Sequence, residues 1–355
     1  MIMPIYDQLI TFIKEETSVK EENSIKPKTA LIGISIVLIS YKHDEYFRDA
    51  IDSVLNQNYD RSKIELIVVC KSNGIPISYL EKLPINIDLK LIISDDFRIG
   101  PKFKQAVEKA KYEWIAVIDD DDMWHPDKLK VISSYIEKDR TLRYIHNSKV
   151  YVNEKYSFNQ LKKDAESSVN DAKNENLLER RRKSIVDCEH NESSIIFKKS
   201  IVMEDLEVLS RLEGAPDTFL YLCAKGQGLN ILCLREKMTY FRVNGVKIGS
   251  SQNFNLIGNL SRQLKSYQAL YNLQHHTPCS LMIIDRRVTT NQIKLTLLSE
   301  MKISKQSRVF LTKNCLKTKL FANFEGFFLT WLSIISVLSV NIASRMYSAI
   351  IERRG

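Results

Sequence analysis

The chain has little of what would mark a metal-stapled, secreted or repetitive protein. Its six cysteines, Cys70, Cys188, Cys223, Cys233, Cys279 and Cys315, form no C-x-x-C pair, and no histidine stands at zinc-ligand spacing. A structural zinc site is therefore not expected, and reduced thiols are the expected state. Cys70, Cys223 and Cys233 read as core thiols. The start, Met1 to Phe12, carries acidic Asp7 and lacks a basic stretch followed by an apolar core, so it makes a poor secretory signal. No internal repeat is apparent, which argues against a solenoid.

What is present is an ordinary globular mixture of 355 residues, 44% hydrophobic and 27% charged, enough to bury a sizeable core. The formal net charge of +9 favours an anionic partner: nucleic acid, a phospholipid surface or a phosphorylated small molecule. Basic residues are dense at Arg180 to Lys183, Arg286 and Arg287, Lys302 to Arg308 and Lys313 to Lys319. Their position late in the chain, near an apolar segment, leans towards a membrane surface, with a solvated lysine-rich face as the plain alternative.

Residues Ile5 to Ile13 have helical spacing and are followed by a polar stretch, so 1–30 reads as an N-terminal helical arm and linker. From Ile34 to Ser40 a nearly continuous β-branched and apolar run has the composition of a strand buried on both faces. Phe47, Ala50, Ile51, Val54 and Leu55 then lie on one helical stripe. Ile64 to Val69, Leu89 to Ile93 and Trp114 to Ile118 read as further strands, with a helix over Lys102 to Lys111. The order βαββαβ predicts half of a doubly wound, mostly parallel sheet. Later strands are predicted over Tyr144 to Val152, Ser194 to Phe197, Ile231 to Leu234 and Thr239 to Val243. The polar segment Asn159 to Ser184 reads as a helical or mobile excursion, and helices are predicted over Thr218 to Ala224 and Phe254 to Leu273. The expected domains are the arm, an α/β domain over 31–253, a basic helical region over 254–320, and an apolar helix within 321–351. That last segment holds uncharged Gly326 to Ala343 flanked by basic residues, Trp331 and Tyr347, and is expected to associate with a membrane by spanning it or lying on it.

The strand Trp114 to Ile118 runs straight into Asp119-Asp120-Asp121-Asp122. That delivers several carboxylates to the carboxyl edge of a parallel sheet, where ligands bind. Adjacent carboxylates at a partly buried strand end repel one another unless a cation or hydrogen-bond donors compensate. A hard divalent cation does so, taking one or two protein carboxylates while phosphates and water complete its shell. Alternation makes Asp119 and Asp121 the expected inward pair. The alternative is a solvated turn capping the helix that begins near Pro126.

Three pieces carry a family resemblance: I-S-I-V-L-I-S-Y at Ile34 to Tyr41, A-I-D-S-V-L-N-Q-N-Y at Ala50 to Tyr59, and A-K-Y-E-W-I-A-V-I-D-D-D-D-M-W-H-P-D-K-L at Ala110 to Leu129. Over most of Ile34 to Ser251 the chain resembles the family 2 glycosyltransferases. The resemblance implies a GT-A fold, Rossmann-like with flanking helices, and transfer of a sugar from a nucleotide-diphosphate sugar to an acceptor hydroxyl with inversion. It implies that Asp119 and Asp120 help bind the nucleotide sugar, with Asp119 on the ribose side, that Asp121 coordinates Mg²⁺ or Mn²⁺, and that Ser40 and Tyr41 border the base. Pro216 to Gly226 looks like the segment carrying the catalytic base, so Asp217 is the expected base and Glu213 the reserve; a helix N-cap is the structural alternative. Tyr240 to Gly245, followed by Ser250 and Ser251, resembles the closing segment, which makes Arg242 a candidate diphosphate contact or else a surface residue on a strand.

The chain departs from the family in several places. Cys70-Lys71-Ser72-Asn73-Gly74 stands where an acid-rich turn usually reads the base, Gly100 to Lys104 replaces an A-R-N segment, and Asn244 stands where a histidine is common. Lys71 and Asn73 can donate hydrogen bonds but Lys71 cannot accept one. Lys102 or Lys104 is a candidate source of positive charge, with a solvated lysine pair as the alternative, and His125 reads as a turn residue. The expected acceptor is a lipid-linked saccharide or other glycan at the cytoplasmic membrane face, with no nucleic-acid partner. Two rivals stay open: an inactive GT-A-fold binding or scaffold protein at the membrane, and another GT-A-type nucleotide enzyme, although no glycine-rich loop lies between Ser40 and Phe47.

Overall fold

A computed structural model describes residues 31–40, 44–72, 77–80, 88–168, 188, 190–243, 252–298, 305–317, 324–339 and 342–348. The arm helix, Tyr41, Asn73 and 244–251 lie outside them.

Four parallel strands carry the first half of the chain: β1 (Ile34–Ile39), β2 (Ile64–Cys70), β3 (Asp88–Ile93) and β4 (Trp114–Asp119). Side chains alternate between faces along a strand. Val37, Ile39, Ile67, Val69, Ile115 and Val117 enter one core, while Ile36, Leu38, Leu66, Val68, Ala116 and Ile118 enter the other. On β1, β2 and β4 both faces are buried, which is why they read as nearly unbroken apolar runs; β3, at the sheet edge, leaves Leu91 and Ile93 exposed. Helix α1 (Asp44–Leu55) covers the second face with Phe47, Ala50, Ile51 and Val54. After α2 (Ile77–Leu80), helix α3 (Ile99–Lys109) covers the first with Phe103, Ala106 and Val107. The registers Ile39 to Val69, Ile39 to Asp119 and Cys70 to Ile93 bring four carboxyl ends to one edge.

The sheet is mixed, in order β3-β2-β1-β4-β7-β6-β8-β5. After β5 (Met123–Trp124) and α4 (Lys128–Lys138), β6 (Leu142–Asn153) lies antiparallel to β7 (Ile195–Lys198), which in turn runs antiparallel to β4. The two strands expected over Ile231 to Val243 are one, β8 (Asn230–Val243). It is interrupted where Cys233 pairs with His146 and Lys237 with Ser148. Charged Arg235, Glu236 and Lys237 fall in that irregularity, so they broke the hydropathy pattern without ending the strand. The expected excursion begins as α5 (Phe158–Ser168), whose Phe158 and Leu161 pack on Met123, Val152 and Tyr240; residues 169–184 lie outside the described set.

Helices α6 (Leu206–Ser210), α7 (Pro216–Gly226), α8 (Gln252–Ala269) and α9 (Pro278–Leu298) follow. Tyr267, Leu270, Leu273, Ile283 and Ile284 share one core with Val37, Ile67 and Val117, so packing runs on through the boundary expected after residue 253. The far end of α9 joins α10 (Lys305–Lys317) and α11 (Phe324–Leu338) around Ile293, Leu297, Cys315, Leu329 and Leu332. Among the described residues no helix is long and apolar enough to cross a membrane, so the spanning form of the membrane expectation finds no support. Helix α11 instead buries Leu329 and Leu332 and leaves Trp331 and Ile334 exposed.

The expectation of reduced thiols is corrected at one pair: Cys188 and Cys233 form a disulfide, with their Cα atoms 5.8 Å apart. They are 45 residues apart in sequence, a separation that motif spacing does not reveal. Cys70, Cys223 and Cys315 are buried free thiols.

A polar stripe on α1 and the turn after it ties the layers together. Ser53 Oγ accepts from Trp124 N at 3.1 Å. Gln57 donates to the carbonyls of Ser53 and His125, both at 2.9 Å, and accepts from Leu129 N at 3.1 Å, capping the start of α4. Replacing Gln57 by Leu strands buried backbone groups and is expected to cost about 2–3 kcal/mol. A urea midpoint unchanged from wild type would overturn this reading.

Candidate active site

The sheet edge gathers acids from three elements. Strand β4 ends at Asp119 and turns tightly, with Asp122 N donating to Asp119 O at 3.3 Å. Asp119 and Asp121, the pair expected to point inward, keep partial exposure, whereas Asp120 and Asp122 are the buried pair, 3% and 1% exposed. Ser40 is also buried and its hydroxyl reaches Asp120 at 3.4 Å. Ser40 and Asp120, both expected at the nucleotide, thus pair with each other in the floor of the site.

The short turn Asn191-Glu192-Ser193 crosses behind this edge. Ser193 Oγ accepts from Asp119 N at 2.9 Å and donates to Asp119 Oδ2 at 3.3 Å. Its carbonyl accepts from Trp124 Nε1, Lys128 Nζ and Thr239 Oγ1. On the other side Asn191 N donates to Asp217 Oδ2 at 3.2 Å. Glu192 therefore lies between the residue that holds Asp119 and the one that holds Asp217. Asp217 sits in the first turn of α7, behind Pro216, where the helix dipole favours an acid. Among the described residues, those with positive φ other than glycine are Asn191 (81°) and Ala215 (57°). Both flank Asp217, and each such conformation costs on the order of 1–3 kcal/mol. Glu213, the reserve base, instead pairs with Lys265 at 3.1 Å.

Arg242 departs from its expected role as a diphosphate contact. The residue is 3% exposed. Its Nε donates to Asp121 O, one terminal nitrogen donates to the carbonyls of Glu154 and Tyr156, and the other reaches Asp49 Oδ2 at 3.1 Å and Met123 Sδ at 3.9 Å. Those contacts occupy the donor set of a guanidinium. Its ring-facing side lies 4.2 Å from the Tyr46 centroid, and its backbone N donates to Asp122 Oδ1 at 3.0 Å. Arg242 braces the acidic turn from below. The sequence motif located the residue, but the buried partners that decide its role come from distant segments.

The lysines are placed likewise. Lys102 is fully buried, and Lys104 pairs with Glu207 at 2.7 Å. Gly100, ahead of them, approaches Leu209 O so closely that a Cβ would meet it at 2.0 Å. This explains why α3 opens with glycine here. His125 is a turn residue, its Nδ1 accepting from Asp127 N at 3.1 Å. Lys128, missed at the sequence level, is buried with its ammonium 4.3 Å from the Trp124 ring centroid. Burial holds it well below the usual lysine range, against an opposing pull from Asp122.

Burial first, and then the neighbouring acids, raise Asp119 and Glu192 well above the usual carboxylate range. Burial and Asp121 push Asp122 up to about 7. Among the described residues no group of three or more His, Cys, Asp or Glu is arranged to hold a metal ion. The donor chemistry nevertheless suits a hard cation that takes one or two carboxylates and draws its remaining ligands from phosphate and water. Asp119 and Asp121 are partly exposed oxygen donors in a site short of positive charge.

The sequence model of the family described as glycosyl transferase family 2 matches residues 35–201. Those residues form a family 2 glycosyltransferase domain. The putative teichuronic acid biosynthesis glycosyltransferase TuaG of Bacillus subtilis (strain 168) is 25% identical over 99 residues, which span 27% of this chain and 39% of that protein. Among solved structures, S. aureus TarS 1-349 in complex with UDP is 12% identical with a TM-score of 0.51, covering 91% of this chain and 90% of that one. A mannosyltransferase from Pyrobaculum calidifontis in complex with GDP-Man and Mn²⁺ is 14% identical with a TM-score of 0.50, covering 96% and 94%. At these identities the likeness is one of fold, and it agrees with the GT-A arrangement of mixed sheet and flanking helices.

The acids of this glycosyltransferase domain imply a pH dependence. Each raised carboxyl binds its proton more tightly in the folded than in the unfolded chain. Between about pH 4 and pH 7 the folded state therefore holds more protons, and stability falls as pH rises. The metal-free protein is expected to melt several degrees lower at about pH 7.5 than at about pH 5. Asp122→Asn keeps an acceptor for Arg242 N and removes one titrating group, so it should flatten that slope. An unaltered slope in the variant would show that Asp122 does not carry the effect.

Proposed function

We propose that the chain is a metal-dependent, inverting glycosyltransferase that moves a sugar from a nucleotide-diphosphate sugar to an acceptor hydroxyl. The observation that carries this is the pairing of partly exposed Asp119 and Asp121 at the end of β4 with Asp217 at the start of α7, linked by the turn Asn191-Glu192-Ser193. Asp217 is the proposed base. Its Oδ1 and Oδ2 accept from Thr218 N and Asn191 N at 2.7 and 3.2 Å, which orients the carboxylate to receive the acceptor proton as the hydroxyl attacks the anomeric carbon. Asp121, and Asp119 beside it, would hold Mg²⁺ or Mn²⁺. A bound cation there supplies Lewis-acid stabilisation of the leaving diphosphate. Ser193 and Arg242 hold these acids in register, so that charge and geometry are set before substrate arrives. The solved structures of similar fold in complex with UDP, UDP-GlcNAc and GDP-Man support a nucleotide-sugar donor.

The proposed acceptor is a lipid-linked saccharide or other glycan at the cytoplasmic face of the cell membrane. The late basic clusters and the exposed Trp331, Ile334 and Ile342 support attachment by a helix lying on the surface.

The test is a screen of nucleotide sugars with Mn²⁺ or Mg²⁺, following transfer or hydrolysis. Asp217→Asn is expected to lower kcat by about 10²- to 10⁴-fold while donor binding persists. Asp121→Ala should abolish the dependence of donor binding on the cation. Wild-type inactivity with every donor, or turnover indifferent to Asp121→Ala, would remove the enzyme reading.

A further inference from the structure

One carbonyl behind the acids takes three donors. Ser193 O accepts from Trp124 Nε1 at 2.8 Å, from Lys128 Nζ at 2.5 Å and from Thr239 Oγ1 at 3.0 Å. These donors stand on β5, on the first residue of α4 and on β8, so three separate elements fix the carbonyl. The turn it belongs to carries the partners of two acids that lie far apart in sequence. Ser193 Oγ meets Asp119, and Asn191 N, two residues earlier, meets Asp217. Ser193 N donates to Asn191 Oδ1 at 3.2 Å and ties the two ends of the turn together. Asn191 holds a left-handed backbone with φ 81°, a conformation that persists only where its surroundings over-determine it.

Stability does not account for Lys128 among those donors. Its side chain is wholly buried, and burying an amino group costs free energy. Its hydrogen bonds go to the Ser193 carbonyl and, at 3.1 Å, to Thr239 Oγ1, not to a carboxylate. An apolar side chain in its place would strand neither of them. Ser193 O would keep Trp124 and Thr239, and Thr239 Oγ1 would keep Asn147 Nδ2 at 2.9 Å. Exchanging a buried charged group for a well-packed apolar one is often neutral or stabilising. Sequences break such local rules chiefly where function requires it, and what this lysine holds is the turn between Asp119 and Asp217.

We propose, resting on the glycosyltransferase reading, that Lys128 is a positioning residue for both ends of the reaction: through Ser193 O it holds the turn that aims Asp119 at the cation and Asp217 at the acceptor hydroxyl. Lys128 touches neither substrate nor cation. Without its amino group the turn keeps two donors from β5 and β8 but loses its tie to α4, and both acids lose the rigid backing that sets their direction. Groups that orient a metal ligand from behind matter nearly as much as the ligand itself, and here one such group serves the metal end and the base end together.

The experiment compares the full chain as wild type, Lys128→Met, Ser193→Ala and the double variant. It reads the melting temperature without metal, the Kd for Mn²⁺ by calorimetry in the presence of the donor found in the nucleotide-sugar screen, and kcat with that donor. Lys128→Met should melt no lower than wild type, yet bind Mn²⁺ about tenfold more weakly and turn over about tenfold more slowly, the lower end of what such a backing group contributes. Ser193→Ala keeps the carbonyl and loses the hydroxyl on Asp119, so it should weaken Mn²⁺ binding at least as much. Because Lys128 acts through Ser193, the loss in the double variant should fall short of the product of the two single losses. Wild-type Mn²⁺ affinity and kcat in Lys128→Met, a melting temperature lowered in step with the lost activity, or losses that multiply in the double variant each overturn the role of Lys128 and leave the glycosyltransferase reading intact. Failure of wild type to bind Mn²⁺ and to turn over any donor overturns both.

Discussion

Mutual repulsion among carboxyl groups is the constraint around which this chain is arranged. Asp119 to Asp122 meet Glu192 and Asp217 at one end of β4, largely out of water, where unlike charges or hydrogen-bond donors must offset the cost. The fold supplies them from far along the sequence. Arg242 comes from β8, Lys128 from α4, and Ser193 and Asn191 from the turn before β7. The offset is incomplete, because Asp119 and Glu192 still hold their protons unusually tightly. A site left short of positive charge has a standing preference for a cation and for the phosphates that accompany one.

The strands and helices that build the first half of the sheet were legible because their periodicities are simple. Strands buried on both faces leave unbroken apolar runs, and α1 leaves a clean stripe. The acidic run, Asp217 and the position of Arg242 were legible from motif. What the motif did not carry was direction: Arg242 points into the protein because Asp49 on α1 and Glu154 and Tyr156 in the turn after β6 converge on it. Ser193, Glu192 and Lys128 left no periodic signal, since their roles depend on a turn crossing the sheet edge. One trace was readable in retrospect. Asp49, Ser53 and Gln57 recur every fourth residue, a polar stripe beside the apolar one; Ser53 and Gln57 reach the segment that follows the acidic turn, and Asp49 reaches Arg242, which braces that turn. The pairing of Cys188 with Cys233 left no such trace, because only the approach of β6, β8 and the segment before Asn191 creates it. There Tyr144 donates to Cys188 O at 2.8 Å.

The site also shows how strain is distributed. Asn191 and Ala215 hold left-handed backbones next to Asp217, while β1, β2 and β4 are regular and almost wholly buried. A rigid platform allows unfavourable geometry to persist in the few residues that must aim a functional group. The same logic applies at Gly100, where the absence of a side chain lets the end of α6 close over α3.

The family match ends at residue 201, whereas Asp217 and the helices that share its core come later. The matched part holds Asp119, Asp121 and the turn that steadies them; the unmatched part holds Asp217, the proposed base, and its surroundings. Such a division lets one half of the reaction be inherited while the other is rewritten. On the proposed function, remodelling α7 to α9 would change what receives the sugar and leave the acids of the matched half in place. Arg242 crosses that division, and through it any remodelling of β8 is felt at the inherited acids.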